Sequence, residues 1–512
     1  MTTMMNRREF LAPAAAGVAF TIVPRHVLGG AGYVPPSDKV VLAHIGCGTE
    51  GTRELVSGLI QDQQIQIVAV CDPVKDGTNY LDWSKNGTRD LIRTLLGDSS
   101  FNANVQGIRS GRDQFQEVVQ RYYAKTRGVE NYKVAAYADF RELLEKEKDI
   151  DGVKIMTPDH LHAAVAIAAM RKGKCVAVHK PLANRMNEAK LVLETARKTK
   201  VATHLLAPSS GGTADRIAAR IKDGTIGTLR QVHYWTNRPV WPQYPELPAD
   251  RPPVPEGFDW QLWLGPERDR PYHPWFTHMV FRGWYDFGAG CMGDVGYGNL
   301  WPVFRAFDLG APLSARAWAT RTCKIVDQVA HSVANDVAYP IGCAIQFEIP
   351  RIDAPKIDLF WYDGGLQPQI PELDAETAPA PVEGMLYVGD KGKILSSGGV
   401  PRLFTAKGSQ PLWGGDKGGF GTGKEGSGTG KKTFGGGVWA KAFKGGTPSS
   451  GNFLNAGPIA ETVCLGGVAL RAGSQKSDAR IKVLYDSADM RITNVSEANR
   501  FLTREYRPGW EL

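Results

Sequence analysis

The run His179-Lys180-Pro181 ends an apolar, strand-like stretch and contains the residue best suited to acid–base chemistry. Oxidation of an alcohol by hydride transfer requires a base that contacts the hydroxyl and has a pKa near the working pH. Burial lowers the pKa of a lysine, because the charged form loses hydration, whereas a neighbouring carboxylate raises it. With His179 in the preceding position, we expect Lys180 to act as a neutral base, with His179 in the same catalytic group. The alternative is a solvated lysine at a strand end.

Asp294 is a second catalytic candidate, set in the small-residue run Gly290-Cys-Met-Gly-Asp294-Val-Gly296. Small residues let the backbone approach a ligand closely, so Asp294 could bind a sugar hydroxyl or orient Lys180. The alternative is a helix N-cap, a position that aspartate favours. Tyr297 follows and offers a phenol, although most tyrosines titrate at about 10.

A glycine-rich turn near the N-terminus predicts a dinucleotide site. A strand-like run over 39–45 ends in Gly46-Cys-Gly-Thr-Glu-Gly51, a helix-like stretch follows, and a second strand over 65–71 ends at Asp72. In such a unit the glycines allow the tight turn, the approach of the pyrophosphate and close helix packing, while the helix N-terminus attracts phosphates. An acid after the second strand accepts hydrogen bonds from ribose hydroxyls and disfavours a 2′-phosphate, so Asp72 favours NAD over NADP.

The elements around these residues alternate in type. Strand-like and helix-like stretches follow one another from 134 to 206, which predicts a parallel sheet with helices on both faces. The clusters at 157–162 and 179–181 fall at strand ends, where ligands bind in such sheets. We therefore expect a doubly wound Rossmann domain over 38–206, with an insertion at about 73–131.

After residue 206 the pattern changes. β-like runs are joined by long connections rich in Pro and Trp, which predicts an α/β domain with an open mixed or antiparallel sheet over 207–512. Within it, residues 414–437 contain 12 glycines among 24 residues. Such a segment has too little apolar surface to order itself, which predicts a flexible surface loop. A lid over the substrate is the alternative.

The second domain also contains the candidate substrate-binding residues. Sugars present apolar C–H faces ringed by hydroxyls, a surface that suits aromatic planes interleaved with Asp, Asn, Arg and His. A single tryptophan is more often part of the core, but the density of this interleaving predicts a carbohydrate pocket. The candidates are Trp235, Arg238, His278, Arg282, Trp284, Tyr285, Asp286 and Tyr297.

Composition and charge exclude several classes of protein. The net charge of +8 over 512 residues is mild and the basic residues form no stripe, so we expect no nucleic-acid partner. No apolar run reaches the length of about 18 residues that indicates a membrane span. The seven cysteines include no CxxC pair, which predicts no disulfide framework. The pair His160-x-His162 has no third ligand nearby in the sequence, so we expect no metal site.

The first 30 residues have the order of an export signal. Arg7-Arg8 is followed by Glu-Phe-Leu, then by a mostly small and apolar stretch over 12–23, then by Gly29-Gly30. A paired arginine before a moderate apolar run is typical of the twin-arginine route. The alternative is a basic tail with a short buried helix. We expect residues 1–30 to be a signal peptide and the protein to be periplasmic or secreted.

Taken together, these motifs resemble the Gfo/Idh/MocA oxidoreductases over roughly residues 38–512. The tail over 494–512 also resembles secreted members with a twin-arginine leader, to which the glucose–fructose oxidoreductase that retains its nucleotide is related. Two positions differ from the family pattern: His179 replaces a glutamate, and the histidine usual after Asp294-Val-Gly296 is absent. The resemblance rests on Gly46-Cys-Gly-Thr-Glu-Gly51, Cys71-Asp72, residues 157–162, Lys180-Pro181 and Gly293-Asp294-Val-Gly296.

The resemblance implies a Rossmann domain and an α/β domain, assembled as a homodimer or tetramer. It implies a cofactor site formed by Gly46, Gly48, Thr49, Glu50, Gly51, Asp72, Thr157, Pro158, His162 and Lys180. We expect an NAD(P)-dependent oxidoreductase acting on a hydroxyl or keto carbon of a sugar or glycoside, with its nucleotide tightly bound because the periplasm supplies none. The alternatives are a redox-neutral, NAD-dependent glycoside-cleaving enzyme and a non-catalytic sugar- or nucleotide-binding protein, which the missing histidine favours.

Overall fold

The expected leader over 1–30 and nearly all of the glycine-rich segment 414–437 lie outside the described residues. The chain divides into two compact units, Met1–Lys39 and Val40–Leu512. In the first unit a short 3-10 helix over Pro36–Asp38 is described. The computed structural model describes residues 36–128, 131–207, 212–333, 335–373, 380–414, 436–474 and 481–512.

The second unit combines strands and helices along its whole length. The strands are β1 Val40–Ile45, β2 Ile65–Cys71, β3 Ala135–Tyr137, β4 Gly152–Ile155, β5 Cys175–His179, β6 Thr203–Leu206, β7 Leu229–Trp235, β8 Ser314–Ala319, β9 Cys323–Val326, β10 Val329–Ser332, β11 Cys343–Arg351, β12 Ala354–Tyr362, β13 Gly384–Gly389, β14 Lys393–Ser396, β15 Arg402–Thr405, β16 Gly408–Pro411, β17 Lys482–Asp486 and β18 Arg491–Ile492. The α-helices are α1 Thr49–Val56, α2 Gly87–Leu96, α3 Arg112–Arg127, α4 Phe140–Lys146, α5 His162–Arg171, α6 Met186–Thr199, α7 Gly212–Lys222, α8 Trp260–Leu264, α9 Tyr297–Ala306, α10 Gly437–Phe443 and α11 Gly457–Ser474.

The first six strands form a parallel sheet in the order β3-β2-β1-β4-β5-β6. One face packs against α4, α5 and α6, and the other against α1, α2, α3 and α10. The strands at the centre are almost fully buried, as a sheet covered on both faces requires. This confirms the predicted doubly wound Rossmann sheet. The expected insertion at 73–131 contains α2 and α3.

A second sheet has ten strands in the order β16-β15-β14-β13-β7-β12-β11-β8-β17-β18. β7 and β12 run parallel, and the other central pairs run antiparallel, so the sheet is mixed, as predicted. Buried and partly exposed residues alternate along β11, which indicates one packed face and one open face. All seven cysteines are free thiols.

The helix α11 connects the two sheets. It packs against β8, a strand of the mixed sheet, and against α6, which covers one face of the parallel sheet. With the turn before it, over Phe453–Ser474, it is long and apolar enough to cross a membrane, the one such helix within the described ranges. Because 78% of its most apolar window is buried inside the protein, it has the character of a core helix.

The aromatic stretch after β7 forms a small core of its own. Its rings pack on one another edge-to-face and stacked, with Trp260 and Trp263 4.9 Å apart at their centroids. The 3-10 turn His278–Gly283 lies on this core and faces the carboxyl ends of the parallel strands. The aromatic core therefore positions one wall of the candidate site.

Candidate active site

A cleft opens at the carboxyl ends of β1, β2, β4 and β5. The parallel sheet supplies one wall through the loops that follow these strands. The turn His278–Gly283 and the segment before α9 supply the opposite wall. The predicted residues that line the cleft are Gly46, Gly48, Thr49, Glu50, Gly51, Asp72, Thr157, Pro158, His179, Lys180, His278, Arg282 and Asp294.

The three glycines of the turn, Gly46, Gly48 and Gly51, have different surroundings. Gly46 has φ +100°, and a Cβ there would overlap the backbone of Met156. A Cβ on Gly51 would overlap the carbonyl oxygen of Gly46. At Gly48 the nearest atom to such a Cβ is Tyr80 Cε1 at 3.4 Å, an ordinary contact. The fold therefore requires the first and third glycines, while the second leaves space at the N-terminus of α1, where phosphates bind.

The Asp72 carboxylate is buried beside this turn. It accepts hydrogen bonds from the backbone N–H groups of Cys47 at 2.6 Å and Val74 at 2.8 Å. Burial raises the pKa of Asp72 to about 6, although both N–H groups and Arg112 favour the charged form. A carboxylate has lone pairs beyond these two bonds, and Asp72 lines the cleft. It can therefore still accept hydrogen bonds from a ligand.

Residues 80–83, which we call the roof, cover the glycine turn. The Tyr80 ring lies over Gly48 and packs against His278, with 3.9 Å between the ring centroids. The guanidinium of Arg238 lies over the Trp83 ring, 4.8 Å from its centroid. Both contacts connect the parallel-sheet half of the chain with the second half across the cleft.

The roof is anchored to the glycine turn and to α1. Thr49 Oγ1 donates a hydrogen bond to the Leu81 carbonyl oxygen at 2.8 Å. The Asp82 carboxylate is ion-paired with Arg53 of α1 and accepts a hydrogen bond from the Thr88 N–H at 2.9 Å. A ligand on the glycine turn is thus enclosed between α1 and the roof.

Lys180 and Asp294 meet in the cleft although they are 114 residues apart. Lys180 Nζ donates a hydrogen bond to Asp294 Oδ1, and Arg282 Nε lies 3.4 Å from the same oxygen. Burial opposes the charged form of Asp294, but the charges of Lys180, Arg282 and Arg238 lower its pKa to about 2. We call these four residues the cleft cluster. Their arrangement corrects one expectation. Because His179 precedes Lys180, the sequence predicts no carboxylate beside Lys180, but in the structure the Asp294 carboxylate lies beside it.

Asp294 is presented by a π-helical turn, Met292–Gly296, that leads into α9. Such widened turns often occur at functional sites. The N-cap position of α9 is occupied by Gly296, so the alternative role of Asp294 as a helix cap is not observed. A Cβ on Gly293 would overlap Ala289, so the small residues of this run are required by close packing.

A buried ion pair lies behind His179. Lys154 Nζ donates to Glu54, and His179 Nε2 lies 3.8 Å from Glu54 Oε1. Candidate ligand atoms of Glu50, Glu54 and His179 all lie within 4.8 Å of one another. Lys154, however, already provides the positive charge that compensates Glu54. Burial and neighbouring cations lower the pKa of His179 well below its usual range, so its ring is neutral.

His162 supports the cleft without lining it. Its Nδ1 is 2.6 Å from the Pro181 carbonyl oxygen, and its Nε2 is 2.9 Å from that of Thr157. It thereby links the loops that follow β4 and β5. His160 has a similar supporting place, since its Nε2 is 2.8 Å from the carbonyl oxygen of Trp263.

The structure does not bring five predicted substrate residues to the cleft surface. The indole N–H groups of Trp235 and Trp284 donate to backbone carbonyl oxygens at 2.7 Å, and both rings are buried. The reason is that aromatic density in this stretch serves the core rather than a pocket. Arg238 is a sixth predicted substrate residue that does not line the cleft. Its guanidinium lies over the Trp83 ring at the rim. The five are Trp235, Trp284, Tyr285, Asp286 and Tyr297.

Asp286 belongs to a second ionic group, which we call the brace. Arg504, 3% exposed, donates from Nη2 to Glu188 at 2.9 Å and from Nη1 to Glu267 at 2.5 Å. Arg185 Nη2 lies 3.2 Å from Glu267 and 3.3 Å from Asp286. The brace fastens the second wall of the cleft to α6 and to the C-terminal segment. Its members are Arg185, Arg270, Arg504, Glu188, Glu267 and Asp286.

Sequence reasoning missed part of the lining. Met156 precedes the predicted strand-end cluster 157–162 and Leu161 lies within it, so the end of β4 was a usable signal for both. Tyr80 and Trp83 lie in the expected insertion, where no periodicity or motif distinguishes them. The lining residues that were not predicted are Pro73, Val74, Tyr80, Trp83, Met156, Leu161, Trp263, Met279 and Phe281.

The residues present fit a nicotinamide dinucleotide. The free space at Gly48 and the N–H groups at the start of α1 suit a pyrophosphate. Asp72 suits the ribose hydroxyls. Thr157 Oγ1 is buried at the cleft and has no hydrogen-bond partner within the described residues, so it is available to a ligand.

Two family models match the chain. Residues 96–206 match an oxidoreductase family with an NAD-binding Rossmann fold. Residues 228–354 match the C-terminal alpha/beta domain of the same oxidoreductase family. In these two spans the chain is similar to the Gfo/Idh/MocA oxidoreductases. The glycine turn at 46–51 precedes the matched spans, so its assignment rests on the geometry described above.

Two curated bacterial proteins are similar to parts of this chain. Levoglucosan dehydrogenase of Pseudarthrobacter phenanthrenivorans is 36% identical over 108 residues, which cover 21% of this chain and 26% of the relative. A glycosyl hydrolase family 109 protein of Stenotrophomonas maltophilia is 30% identical over 172 residues, which cover 34% of this chain and 29% of the relative. The chain thus matches less than a third of the length of each relative.

Solved structures align with the chain at low sequence identity. The WlbA dehydrogenase of Bordetella pertussis, in complex with NADH and UDP-GlcNAcA, aligns with a TM-score of 0.49 at 11% identity. The alignment covers 88% of this chain and 99% of that one. No functional conclusion follows from a likeness of this degree.

Proposed function

We propose that the protein is an NAD-dependent oxidoreductase acting on a hydroxyl or keto carbon of a sugar or glycoside. The observation that carries the proposal is the contact between Lys180 and Asp294 in the same cleft as the glycine turn and Asp72. NAD is favoured over NADP, because the carboxylate of Asp72 repels a 2′-phosphate. When bound, the nicotinamide supplies or accepts the hydride.

The chain's own residues arrange the proton transfer. Asp294, with its pKa lowered to about 2, stays anionic and accepts the hydrogen bond that Lys180 Nζ donates. In the direction of reduction, Lys180 gives a proton to the carbonyl oxygen. In the direction of oxidation, Lys180 first gives its proton to bulk water and then accepts that of the hydroxyl. The roof excludes water from the enclosed ligand, which strengthens these charge interactions.

The protein is proposed to be periplasmic or secreted. Arg7-Arg8 and the small, apolar stretch after it support export by the twin-arginine route. A compartment without free nucleotide requires the cofactor to stay bound, and the anchored roof supports retention. Fusing residues 1–30 to a reporter tests the route: export should cease when Arg7→Lys and Arg8→Lys are combined.

A homo-oligomer is part of the proposal. Partly exposed residues line the open face of the mixed sheet, and the hairpin β9–β10 carries Ile325 and Val329, which are 69% and 55% exposed. Apolar surface of this kind is typical of an interface. Light scattering of the purified protein should give the mass of a dimer or tetramer, and a monomer mass would contradict this.

A redox-neutral, glycoside-cleaving activity is the second candidate. The specific observation in its favour is the similarity to a glycosyl hydrolase family 109 protein. In such a cycle the same sugar is oxidised, loses its aglycone and is reduced again, so the nucleotide shows no net change. Release of a chromophore from an aryl glycoside without any added acceptor distinguishes this activity from simple dehydrogenation.

The first experiment is purification of the mature protein without added nucleotide. Its absorbance shows whether reduced nicotinamide is present, and mass spectrometry after denaturation identifies what is released. Stoichiometric NAD(H) supports the proposal and a closed cycle. A protein that is empty and also refuses added NAD contradicts it and favours the non-catalytic binding protein.

The lysine assignment is tested with Lys180→Met in the nucleotide-loaded protein. Hydride transfer should fall by about 10²–10⁴-fold while the nucleotide remains bound. Lys174→Met is the matched control, because Lys174 precedes the opposite end of β5 and donates only to backbone carbonyl oxygens. Undiminished transfer in Lys180→Met would contradict the role of Lys180 as the proton-transferring group.

A further inference from the structure

The cleft cluster contains more cations than carboxylates. Lys180 and Arg282 both approach Asp294, one as a hydrogen-bond donor and the other at 3.4 Å. Arg238 adds a third positive charge that also acts on Asp294. Its guanidinium lies on the face of Trp83 at the rim of the cleft. The charges of three cations therefore act on the carboxylate of Asp294.

The Arg282 guanidinium is held in place by neighbouring rings, but not all of its N–H groups have a hydrogen-bond acceptor. Its Cζ lies 4.7 Å from the centroid of Phe281 and 5.9 Å from that of Trp241, so the side chain is clamped between rings. Its Nε lies 3.4 Å from Asp294 Oδ1. Within the described ranges, no protein acceptor bonds its two terminal nitrogens, and Arg282 lines the cleft. Its planar fork of N–H groups is thus presented to a ligand.

The charges of Glu50 and Asp159 also act on Arg282, but within the described residues neither carboxylate accepts a hydrogen bond from its guanidinium. The Glu50 carboxylate is near the Trp83 indole N–H, at 3.5 Å, and burial together with Glu54 raises its pKa. Asp159 accepts a hydrogen bond from the Ala289 N–H at 3.0 Å, and burial raises its pKa as well. Neither forms an ion pair with the arginines of the cluster. N–H groups of a buried guanidinium are costly to leave without acceptors, so the fork of Arg282 is suited to an anionic ligand.

We infer that the substrate is an acidic sugar, a uronic or aldonic acid or its glycoside, whose carboxylate is bound by Arg282 and Arg238 while its reacting carbinol contacts Lys180. This rests on the proposed function, whose substrate class it specifies. A carboxylate matches the guanidinium fork in two parallel N–H···O bonds. A neutral sugar offers hydroxyl oxygens but no carboxylate for this bidentate pairing, so the site discriminates by charge as well as by shape.

The experiment compares matched sugars on the nucleotide-loaded protein. The pairs are glucuronate with glucose, galacturonate with galactose, and gluconate with glucitol, each differing at one carboxylate. Glucuronamide serves as a neutral analogue of the acid, and glucose 6-phosphate as an anion of different shape. Binding is measured by calorimetry, and turnover by the absorbance of the bound nucleotide. At least one acid should exceed its neutral partner and the phosphate by about ten- to a hundredfold.

Two variants tie this preference to the arginines. Arg282→Gln and Arg238→Gln should each reduce the acid-to-neutral ratio by about tenfold or more, while nucleotide affinity stays unchanged. Arg230→Gln is the matched control, because Arg230 lies on β7, the strand that precedes Arg238, and its side chain is half exposed. It should leave the ratio unchanged.

Several results would overturn the inference. They are equal binding of acids and neutral sugars, no binding of any acid in the panel, preference for the phosphate, or an unchanged ratio in both variants. Loss of nucleotide affinity in Arg282→Gln equal to the loss of sugar affinity would place the guanidinium on the cofactor instead. The proposed function fails separately, when acids bind with the expected preference but none changes the redox state of the nucleotide.

Discussion

The cleft cluster and the brace are both ionic groups withdrawn from solvent, but they are balanced differently. In the brace, three arginines meet three carboxylates, and each arginine has an acceptor within the protein. In the cleft cluster, three cations share Asp294, and the fork of Arg282 faces open space. The charges of the brace are matched in number within the described part of the chain, whereas no protein acceptor there bonds the fork of Arg282.

This difference in pairing distinguishes charged side chains that stabilise the fold from those that bind a ligand. A buried charge that lacks a partner costs several kcal/mol in typical proteins, so a fold retains one where a ligand supplies the partner. Residue type does not make this distinction, since both groups consist of basic side chains and carboxylates. The same test applies to the glycines, because the fold explains Gly46 and Gly51 but leaves Gly48 free for a ligand.

The brace should respond to substitution through stability. Arg504→Met leaves Glu188 and Glu267 buried without their shared cation, and should lower the free energy of unfolding by about 3–5 kcal/mol. Activity per folded molecule should change little. Chemical denaturation with parallel activity measurement checks both. Arg500→Met, in the exposed turn before it, is the control, and equal stability of the two variants would remove the distinction between brace and cleft cluster.

The cleft cluster should respond in the opposite way. Arg282→Met leaves Asp294 paired with Lys180, so the free energy of unfolding should change by no more than about 1 kcal/mol. Turnover of the preferred sugar should fall by about ten- to a hundredfold, because the guanidinium fork is lost. A large loss of stability with normal turnover of the remaining folded protein would show that Arg282 is structural.

The affinity for NAD should depend on the ionisation of Asp72. Its pKa in the protein is raised to about 6, so the carboxylate that accepts the ribose hydroxyls is lost as the pH falls through this value. Between pH 7 and pH 5 the ionised fraction, and with it the affinity, should fall by about tenfold. Titration of nucleotide-free protein by calorimetry checks this. In Asp72→Asn the affinity should be lower and nearly independent of pH over this range.

The smallest effect is expected at the second glycine of the turn. A Cβ at Gly48 fits the protein, so Gly48→Ala should change the free energy of unfolding by less than about 0.5 kcal/mol. It should nevertheless weaken NAD binding, because the methyl group occupies the space of the phosphate. Gly212→Ala, where nothing lies within 4 Å of the added methyl, serves as the control. Unchanged NAD affinity would mean that the free space at Gly48 has no role in binding.

Much of the fold and part of the site could be predicted from the sequence. Strand ends are defined by local pattern, and in a parallel sheet they all meet at one edge. This is why the glycine turn, Asp72, Thr157 and Lys180 were predicted and do line the cleft. The contact of Lys180 with Asp294 spans two domains, and the sequence suggested it only as one option.

The rest depends on packing that no local pattern encodes. Trp284 and Tyr285 have the composition of a sugar site, but burial against neighbouring rings decides their role. Tyr80 and Trp83 are placed by ion pairs and hydrogen bonds of the roof, which join residues about thirty positions apart. The export signal and the glycine-rich segment lie outside the described residues, so those predictions stand untested.

The brace also bears on the order of folding. Arg504 and Glu188 are 316 residues apart, and a contact of this separation requires the closure of a very long loop. Contacts between elements that follow one another in the sequence, such as those within the parallel sheet, close short loops at a small entropic cost. They are therefore expected to form before contacts that close a very long loop. The brace therefore forms late, and the wall that carries Arg282 reaches its final place only when it does. In a refolding experiment, secondary structure should return before the ability to bind sugar.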